Sequence, residues 1–167
     1  TLTGPRQSGK TTLVRAAFPS LPYFSLEEPD IRQIALTDPR GFLSNIPSGA
    51  ILDEIQHTPD LFSYIQSLVD ENRQVQFVLT GSSNFLLMDK ISQTLAGRTA
   101  VLRLLPFSLA ELEPDNEQYE SIIFQGLYPR IYDRATAPTD FYPSYIQTYV
   151  EKDVRLMKNI GDINAFI

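Results

Sequence analysis

Short apolar runs alternate with amphipathic stretches along residues 1–105. The apolar runs are only a few residues long and are bounded by turn residues, which is typical of strands buried on both faces. The stretches between them repeat apolar residues at helical spacing, as Leu13, Val14, Ala17 and Phe18 do in the first stretch. This alternation predicts an α/β fold with a mainly parallel sheet.

The pattern predicts five strands, at residues 1–3, 23–26, 50–52, 76–80 and 99–104. It predicts helices at residues 10–18, 29–36, 39–43, 59–70 and 84–95. After residue 106 we expect an acidic turn at 111–117, a break at 126–129 and a long helix over 141–158. We therefore divide the chain into a core domain at residues 1–105, whose first strand is truncated at Thr1, and a helical, lid-like part at residues 106–167. We also expect the parent protein to continue beyond both ends.

The composition excludes several kinds of functional site and partner. The 167 residues include 14 Lys and Arg and 20 Asp and Glu, and the net charge of −6 argues against broad coating of nucleic acid or anionic membrane. There is no cysteine and one histidine, His57, which excludes a disulfide framework, a cysteine–zinc site, a thiol nucleophile and a multi-histidine metal centre. No apolar run approaches the roughly 20 residues of a membrane-spanning helix. We expect a cytoplasmic protein without a membrane partner.

The segment GPRQSGKT, residues 4–11, fits the pattern G-x-x-x-x-G-K-[ST] at every fixed position, after a predicted strand and before a predicted helix. Its glycines let backbone N–H groups turn around a phosphate, the Lys10 ammonium can reach the β- and γ-phosphates, and the Thr11 hydroxyl can ligate Mg²⁺. The alternative is an ordinary glycine-rich turn. The predicted nucleotide contacts are Gly4, Pro5, Arg6, Gln7, Ser8, Gly9, Lys10, Thr11 and Thr12.

Two acids, Asp53 and Glu54, follow the third predicted strand. Adjacent acids at the end of a buried strand are costly without a charged partner, and beside a phosphate loop that partner is Mg²⁺. Asp53 is expected to hold the ion and Glu54 to act as the general base on water. The alternative is a helix-capping pair at a strand-to-helix turn. The adjacent Glu is typical of ATPases that hydrolyse with water and whose three-layer sandwich has the strand order 5-1-4-3-2.

Three further segments carry candidate residues. Ser82, with Thr80 second, is expected to orient the attacking water from the tip of the fourth strand, or else to belong to a turn that caps the next helix. Arg98 is expected to be a catalytic arginine finger for a neighbouring subunit, or else to satisfy carbonyls at a helix C-terminus. Pro129, or Arg130 beside it, is expected to touch the nucleotide base, or else to form a tight turn between helices.

The segments GPRQSGKTTL, AILDEIQ, VLTGSS, LAGR, GLYPR and YVEKDVRLMKNIGDINAF occur in this order. Together they resemble the prokaryotic AAA+-type P-loop ATPases of the uncharacterised "predicted ATPase" group, and the resemblance spans residues 1–167. Members usually continue into a winged-helix-like part and a nuclease-like domain. The resemblance implies ATP binding and hydrolysis. The family's nucleotide roles fall on Gly4, Lys10, Thr11, Asp53, Glu54 and Ser82, with Arg98 at the arginine-finger position.

The leading hypothesis is an ATPase that uses ATP and Mg²⁺ and couples the nucleotide state to a conformational change. A nucleotide-gated scaffold with little turnover is the alternative, and a P-loop kinase ranks third because the sequence has no clustered basic lid. A homo-oligomer follows if Arg98 acts in trans. Any protein or nucleic-acid partner is expected to bind through the C-terminal region that relatives carry.

Overall fold

The computed structural model describes residues 1–82, 91, 93–113 and 118–150, with the side chains of residues 149 and 150 left out. The chain divides into two compact units. The first unit comprises residues 1–5 and 9–104, and the second comprises residues 6–8 and 105–167. Most of the helix predicted at 84–95 and the last part of the helix predicted at 141–158 lie outside the described residues.

The described residues of the first unit contain five short strands, and the pairings between these strands are parallel. They are β1 Leu2–Thr3, β2 Tyr23–Ser25, β3 Ile51–Asp53, β4 Val78–Leu79 and β5 Leu102–Arg103. β1 pairs with β5, while β2, β3 and β4 form a three-stranded sheet in that order. An isolated parallel bridge joins Leu2 to Thr80. The predicted α/β class with parallel strands is confirmed. β3 has the three residues predicted, shifted by one, and the other four strands are shorter than their predicted runs.

The register of the three-stranded sheet sorts side chains onto two faces. Tyr23 lies beside Ile51, Phe24 beside Leu52 and Ser25 beside Asp53. Because successive side chains along a strand point to opposite faces, Tyr23 shares a face with Ile51 and Asp53, while Leu52 points the other way. Both faces of the sheet therefore carry apolar side chains, Ile51 on one face and Leu52 on the other, as expected for parallel strands.

Four α-helices of the first unit follow the predicted periodicity. They are α1 Lys10–Ala17, α2 Pro29–Thr37, α3 Pro39–Ser44 and α4 Leu61–Glu71, with a 3₁₀ turn at Ile55–His57. Prolines at the first turns of α2 and α3 cost no hydrogen bond, and the Asp38 side chain caps α3 by accepting from the Gly41 N–H. Residues 91, 93 and 94 are also helical.

Two apolar clusters lie on opposite faces of this sheet. The larger cluster includes Leu26, Leu52, Phe62, Ile65 and Leu79. The smaller one consists of the buried side chains Leu2, Val14, Ile51 and Val78, with Phe18, Leu21, Tyr23 and Leu104 packed against it. The smaller cluster therefore joins α1, through Val14, to the face of β3 that also carries Asp53.

The described part of the second unit is helical. It contains α5 Leu109–Leu112, α6 Tyr119–Gln125, α7 Pro129–Asp133 and α8 Pro138–Tyr145, followed by a π-helical turn at Ile146–Val150. Aromatic rings pack within it, with 4.9 Å between the ring centroids of Tyr128 and Tyr145 and 5.4 Å between those of Tyr128 and Phe141.

The prediction of an acidic turn at 111–117 was wrong for residues 111 and 112, which are helical. Glu111 lies in α5, where its carboxylate accepts from the Ser108 N–H while the Ser108 hydroxyl accepts from the Glu111 N–H. This capping box satisfies two helix donors and holds the pKa of Glu111 below its usual value. Residues 114–117 lie outside the described part of the chain.

No helix within the described ranges is long and apolar enough to cross a membrane.

The larger core provides a test of the packing. Ile65 and Ile34 lie inside α4 and α2, but Ile65 is 2% exposed and Ile34 is 54% exposed. Ile65→Ala leaves a cavity and should lower the free energy of unfolding by about 2–5 kcal/mol. Ile34→Ala should change it by about 0.5 kcal/mol or less, because the side chain lies mostly in water. Urea unfolding followed by circular dichroism measures both, and equal losses would contradict the placement of α4.

Candidate functional site

The glycines of the 4–11 segment adopt conformations that other residues avoid. Gly4 has φ of +146°, and a Cβ at this position would collide with the backbone of Leu104. Gly9 has φ of +92° at the position before α1. Only glycine adopts such conformations without strain, so the turn from β1 into α1 depends on both residues. The N–H groups of the first turn of α1 follow directly after Gly9. Because these N–H groups lack partners within the helix, the N-terminus of α1 favours binding of an anion.

The Lys10 side chain is buried, at 6% exposed, although it carries an ammonium group. Its Nζ donates hydrogen bonds to the carbonyl of Gly4, at 3.0 Å, and to that of Pro5, at 2.8 Å. A buried ammonium is costly unless it is hydrogen-bonded, and these two carbonyls offset part of that cost. The Lys10 ammonium therefore lies against the backbone at the start of the turn, at Gly4 and Pro5.

The loop tip, residues 6–8, groups with the second unit. Within that unit the Arg6 carbonyl accepts from the Tyr145 hydroxyl at 3.3 Å. Ser8 Oγ and Gln7 Oε1 are buried without a hydrogen-bond partner among the described residues. Buried polar atoms are nearly always hydrogen-bonded, so an orphaned hydroxyl and an orphaned amide oxygen in one loop are unusual. Thr12, the last of the predicted contacts, lies exposed on α1.

Asp53, the last residue of β3, is 4% exposed and accepts hydrogen bonds from three hydroxyl groups. Thr11 Oγ1 donates to Oδ2 at 2.7 Å, Tyr23 Oη donates to the same oxygen at 2.8 Å, and Thr80 Oγ1 donates to Oδ1. The Thr11 bond joins the first turn of α1 to the end of β3, 42 residues apart in sequence. The loop and the first acid of the sequence prediction therefore meet in the first unit.

Glu54 adopts a left-handed backbone conformation, with φ of +56°. Its N–H donates to Thr80 Oγ1 at 3.3 Å, and its carboxylate accepts from Gln56 Nε2. A left-handed conformation costs an L-residue about 1–2 kcal/mol. Strain of this kind persists only where the surrounding structure imposes it, and it clusters at functional sites.

The tip of the fourth strand brings Thr80, rather than Ser82, into contact with both acids. Thr80 is fully buried, and its hydroxyl donates to Asp53 while it accepts from the Glu54 N–H. Ser82 is also buried, at 3% exposed, two residues further along. The expected role of Ser82 in orienting water stays a prediction, while Thr80, the second choice from sequence, has the contacts.

Arg98 pairs within its own unit. Its Nε donates to Asp70 Oδ1 at 2.6 Å, and one of its terminal NH groups donates to the Ala96 carbonyl at 3.3 Å. The hydrogen bond from Arg98 holds the pKa of Asp70 below its usual value. The carbonyl contact matches the structural alternative that the sequence left open, and the arginine-finger role stays a prediction.

Pro129 is the first residue of α7, a position that suits proline because its missing N–H would have no helical partner. Residues 126–128 connect α6 to α7, so the turn lies just before Pro129. Arg130 follows it and is exposed. Contact of either residue with a nucleotide base stays a prediction.

Sequence reasoning missed Tyr23. The residue was predicted only as part of a strand, yet its hydroxyl reaches the buried acid. Tyr23 shares a face with Asp53 because it pairs with Ile51. That register is not visible in the sequence, so no sequence signal pointed to Tyr23.

The comparisons with known proteins agree with this geometry. The family model described as an AAA domain matches residues 1–113, and a model described as a domain of unknown function matches residues 116–167. The chain belongs to the AAA domain family. It is similar to an uncharacterized protein of Mycobacterium bovis and to one of Mycobacterium tuberculosis, each 32% identical over 157 residues. These matches cover 92% of this chain and 35% of each relative, so the chain spans about a third of their length.

The strain at Glu54 can be measured. Glu54→Gly removes the steric cost of the left-handed conformation and should leave the free energy of unfolding unchanged or raise it by about 1 kcal/mol. Glu71→Gly, at the helical end of α4, is the matched control and should lower it. Thermal and urea unfolding measure both. If Glu54→Gly destabilises the protein as much as Glu71→Gly, the backbone at Glu54 carries no strain that glycine relieves.

Proposed function

We propose that the chain binds ATP with Mg²⁺, hydrolyses it, and couples the nucleotide state to a conformational change. The observation that carries the proposal is the 2.7 Å hydrogen bond from Thr11 to Asp53. It joins the first turn of the helix after the glycine-rich loop to the first of the two acids. Membership of the AAA domain family supports a nucleotide-binding, ATPase-like role.

The loop residues fit a phosphate. The Lys10 ammonium lies beside the Gly4 and Pro5 carbonyls, the first turn of α1 presents its N–H groups, and Gly9 carries no Cβ directly before that turn. Lys10 then supplies a point charge toward the terminal phosphates.

The donor set also fits Mg²⁺. The ion prefers carboxylate, hydroxyl and phosphate oxygens, and it commonly binds through only one or two protein groups. Thr11 and Asp53 would hold it. When bound, Mg²⁺ neutralises charge on the phosphate oxygens. The chain's own part is to hold the Asp53 carboxylate in one orientation, which the hydroxyls of Thr11, Tyr23 and Thr80 do.

Glu54 is proposed as the general base. It follows the metal-binding acid directly, its carboxylate is oriented by Gln56, and its strained backbone is fixed by the bond from its N–H to Thr80. A base must be held within hydrogen-bond reach of the water it activates, and these contacts restrict where the carboxylate can lie. Ser82 is kept as a second candidate for orienting that water.

The proposal includes a single sheet in the order 5-1-4-3-2 within a three-layer sandwich. The bridge between Leu2 and Thr80 supports this order, because it places the β1–β5 pair beside β4 of the other three strands. We also propose the division into a core domain at residues 1–105 and a lid-like part at 106–167. The oligomer, and a protein or nucleic-acid partner of the longer relatives' C-terminal region, are proposals as well.

Nucleotide binding and turnover separate the two main hypotheses. Lys10→Ala should reduce ATP affinity by at least about 10-fold, because the buried point charge beside the phosphates is lost. Arg32→Ala, which removes a partly exposed cation from α2, should leave it unchanged. Glu54→Gln should keep ATP affinity and lower the rate of phosphate release by about 100-fold or more. Calorimetry with Mg–ATP and a phosphate-release assay measure these effects.

Three outcomes of these assays would contradict the proposal. Unchanged affinity in Lys10→Ala would remove the phosphate site. Wild type that binds ATP without releasing phosphate would favour the nucleotide-gated scaffold. Equal phosphate release by wild type and Glu54→Gln would remove Glu54 as the base.

A mixing experiment tests Arg98. If Arg98 acts on a neighbouring subunit, Arg98→Ala retains an intact nucleotide site and Lys10→Ala retains an intact Arg98, so each variant alone is inactive. Their equimolar mixture should recover a measurable part of the wild-type rate of phosphate release. Asp70→Ala, which removes the partner of Arg98 but keeps the cation, should remain active. Full activity of Arg98→Ala alone would assign Arg98 only its pair with Asp70.

A further inference from the structure

The hydroxyls of Tyr23 and Thr11 donate to the same carboxylate oxygen of Asp53. Tyr23 Oη lies 2.8 Å from Asp53 Oδ2, and Thr11 Oγ1 lies 2.7 Å from the same atom. A carboxylate oxygen can accept two such bonds, one for each lone-pair direction. The two donors together therefore restrain the position of this oxygen, while Thr80 donates to the other carboxylate oxygen, Oδ1.

The Tyr23 ring has two sets of contacts. It packs against the smaller core cluster, which contains Ile51 and Val14. The guanidinium carbon of Arg15 also lies 4.8 Å from the ring centroid, a distance typical of a cation–π contact. Arg15 lies one turn after Thr11 on α1. The helix α1 therefore supplies Thr11, which donates to Asp53, and Arg15, which contacts the ring of Tyr23.

We propose that Tyr23 is a positioning residue for the magnesium site. Its hydroxyl holds the Asp53 carboxylate in the orientation in which it also accepts the Thr11 hydroxyl. The inference rests on the proposed function, because it assigns a role toward Mg²⁺. Groups that hydrogen-bond to a metal-binding carboxylate orient it, and removing one lowers metal affinity by about 10-fold to 100-fold. The Tyr23 hydroxyl donates to Asp53, whereas the Lys10 ammonium donates to the Gly4 and Pro5 carbonyls. Because Tyr23 acts on the acid that would hold the metal, its effect is expected in the metal-dependent part of nucleotide binding.

The test is Tyr23→Phe, which removes one oxygen and keeps the ring that Arg15 and the smaller core contact. Tyr64→Phe is the matched control, because Tyr64 is a half-buried tyrosine of the same unit that packs on the larger core. ADP affinity is measured by calorimetry for the wild type and both variants, once with EDTA and once over a titration of Mg²⁺. Mn²⁺ binding in the presence of ADP, followed by electron paramagnetic resonance, gives a second readout.

Tyr23→Phe should raise the metal concentration needed for half-maximal enhancement of ADP binding by about 10-fold or more, while ADP affinity in EDTA stays at the wild-type value. Tyr64→Phe should change neither quantity. An unchanged metal requirement in Tyr23→Phe, with wild type still responding to Mg²⁺, would overturn the role of Tyr23 and leave the proposed function standing. Equal losses with and without metal would assign Tyr23 a structural role only. A wild type that binds no nucleotide would overturn both proposals together.

Discussion

The buried carboxylate of Asp53 is the constraint on which the rest of the site depends. A carboxylate removed from water is costly unless hydrogen bonds replace its hydration. Here the hydroxyls of Thr11, Tyr23 and Thr80 donate to it, and they come from α1, from β2 and from the residue after β4. Satisfying one acid therefore ties the helix after the glycine-rich loop and two strands to the end of β3.

This arrangement depends on strand register. Tyr23 and Asp53 share a face only because Tyr23 pairs with Ile51 and Ser25 pairs with Asp53. A slip of one residue in β2 would turn the tyrosine to the opposite face, where the larger core lies. The apolar face of β3 and the hydroxyl partners of Asp53 thus favour the same register, since Ile51 and Tyr23 both pack in the smaller cluster.

Local patterns predicted much of the fold, and long-range contacts account for what they missed. The apolar runs predicted the five strands found in the described residues, of which β1, β3 and β4 are buried, β2 is partly buried and β5 is exposed. The AAA domain match confirms the broader prediction of an AAA-type family. The Tyr23–Asp53 bond and the Arg98–Asp70 pair join residues about 30 positions apart, and neither has a local signature. The acidic stretch at Glu111 was misjudged because composition favoured a turn, while the spacing of Ser108 and Glu111 favoured a capped helix.

The left-handed turn at Glu54 explains how two adjacent acids can have different surroundings. Asp53 ends β3 and lies against three hydroxyls, whereas the backbone leaves the extended conformation at Glu54, whose carboxylate meets Gln56. Hydroxyl donors satisfy lone pairs of Asp53 without cancelling its negative charge, as a salt bridge to an arginine would. A carboxylate held in this way is oriented but still able to attract a cation. The same Thr80 oxygen donates to Asp53 and accepts from the Glu54 N–H, so the orientation of one acid is coupled to the strained backbone of the other.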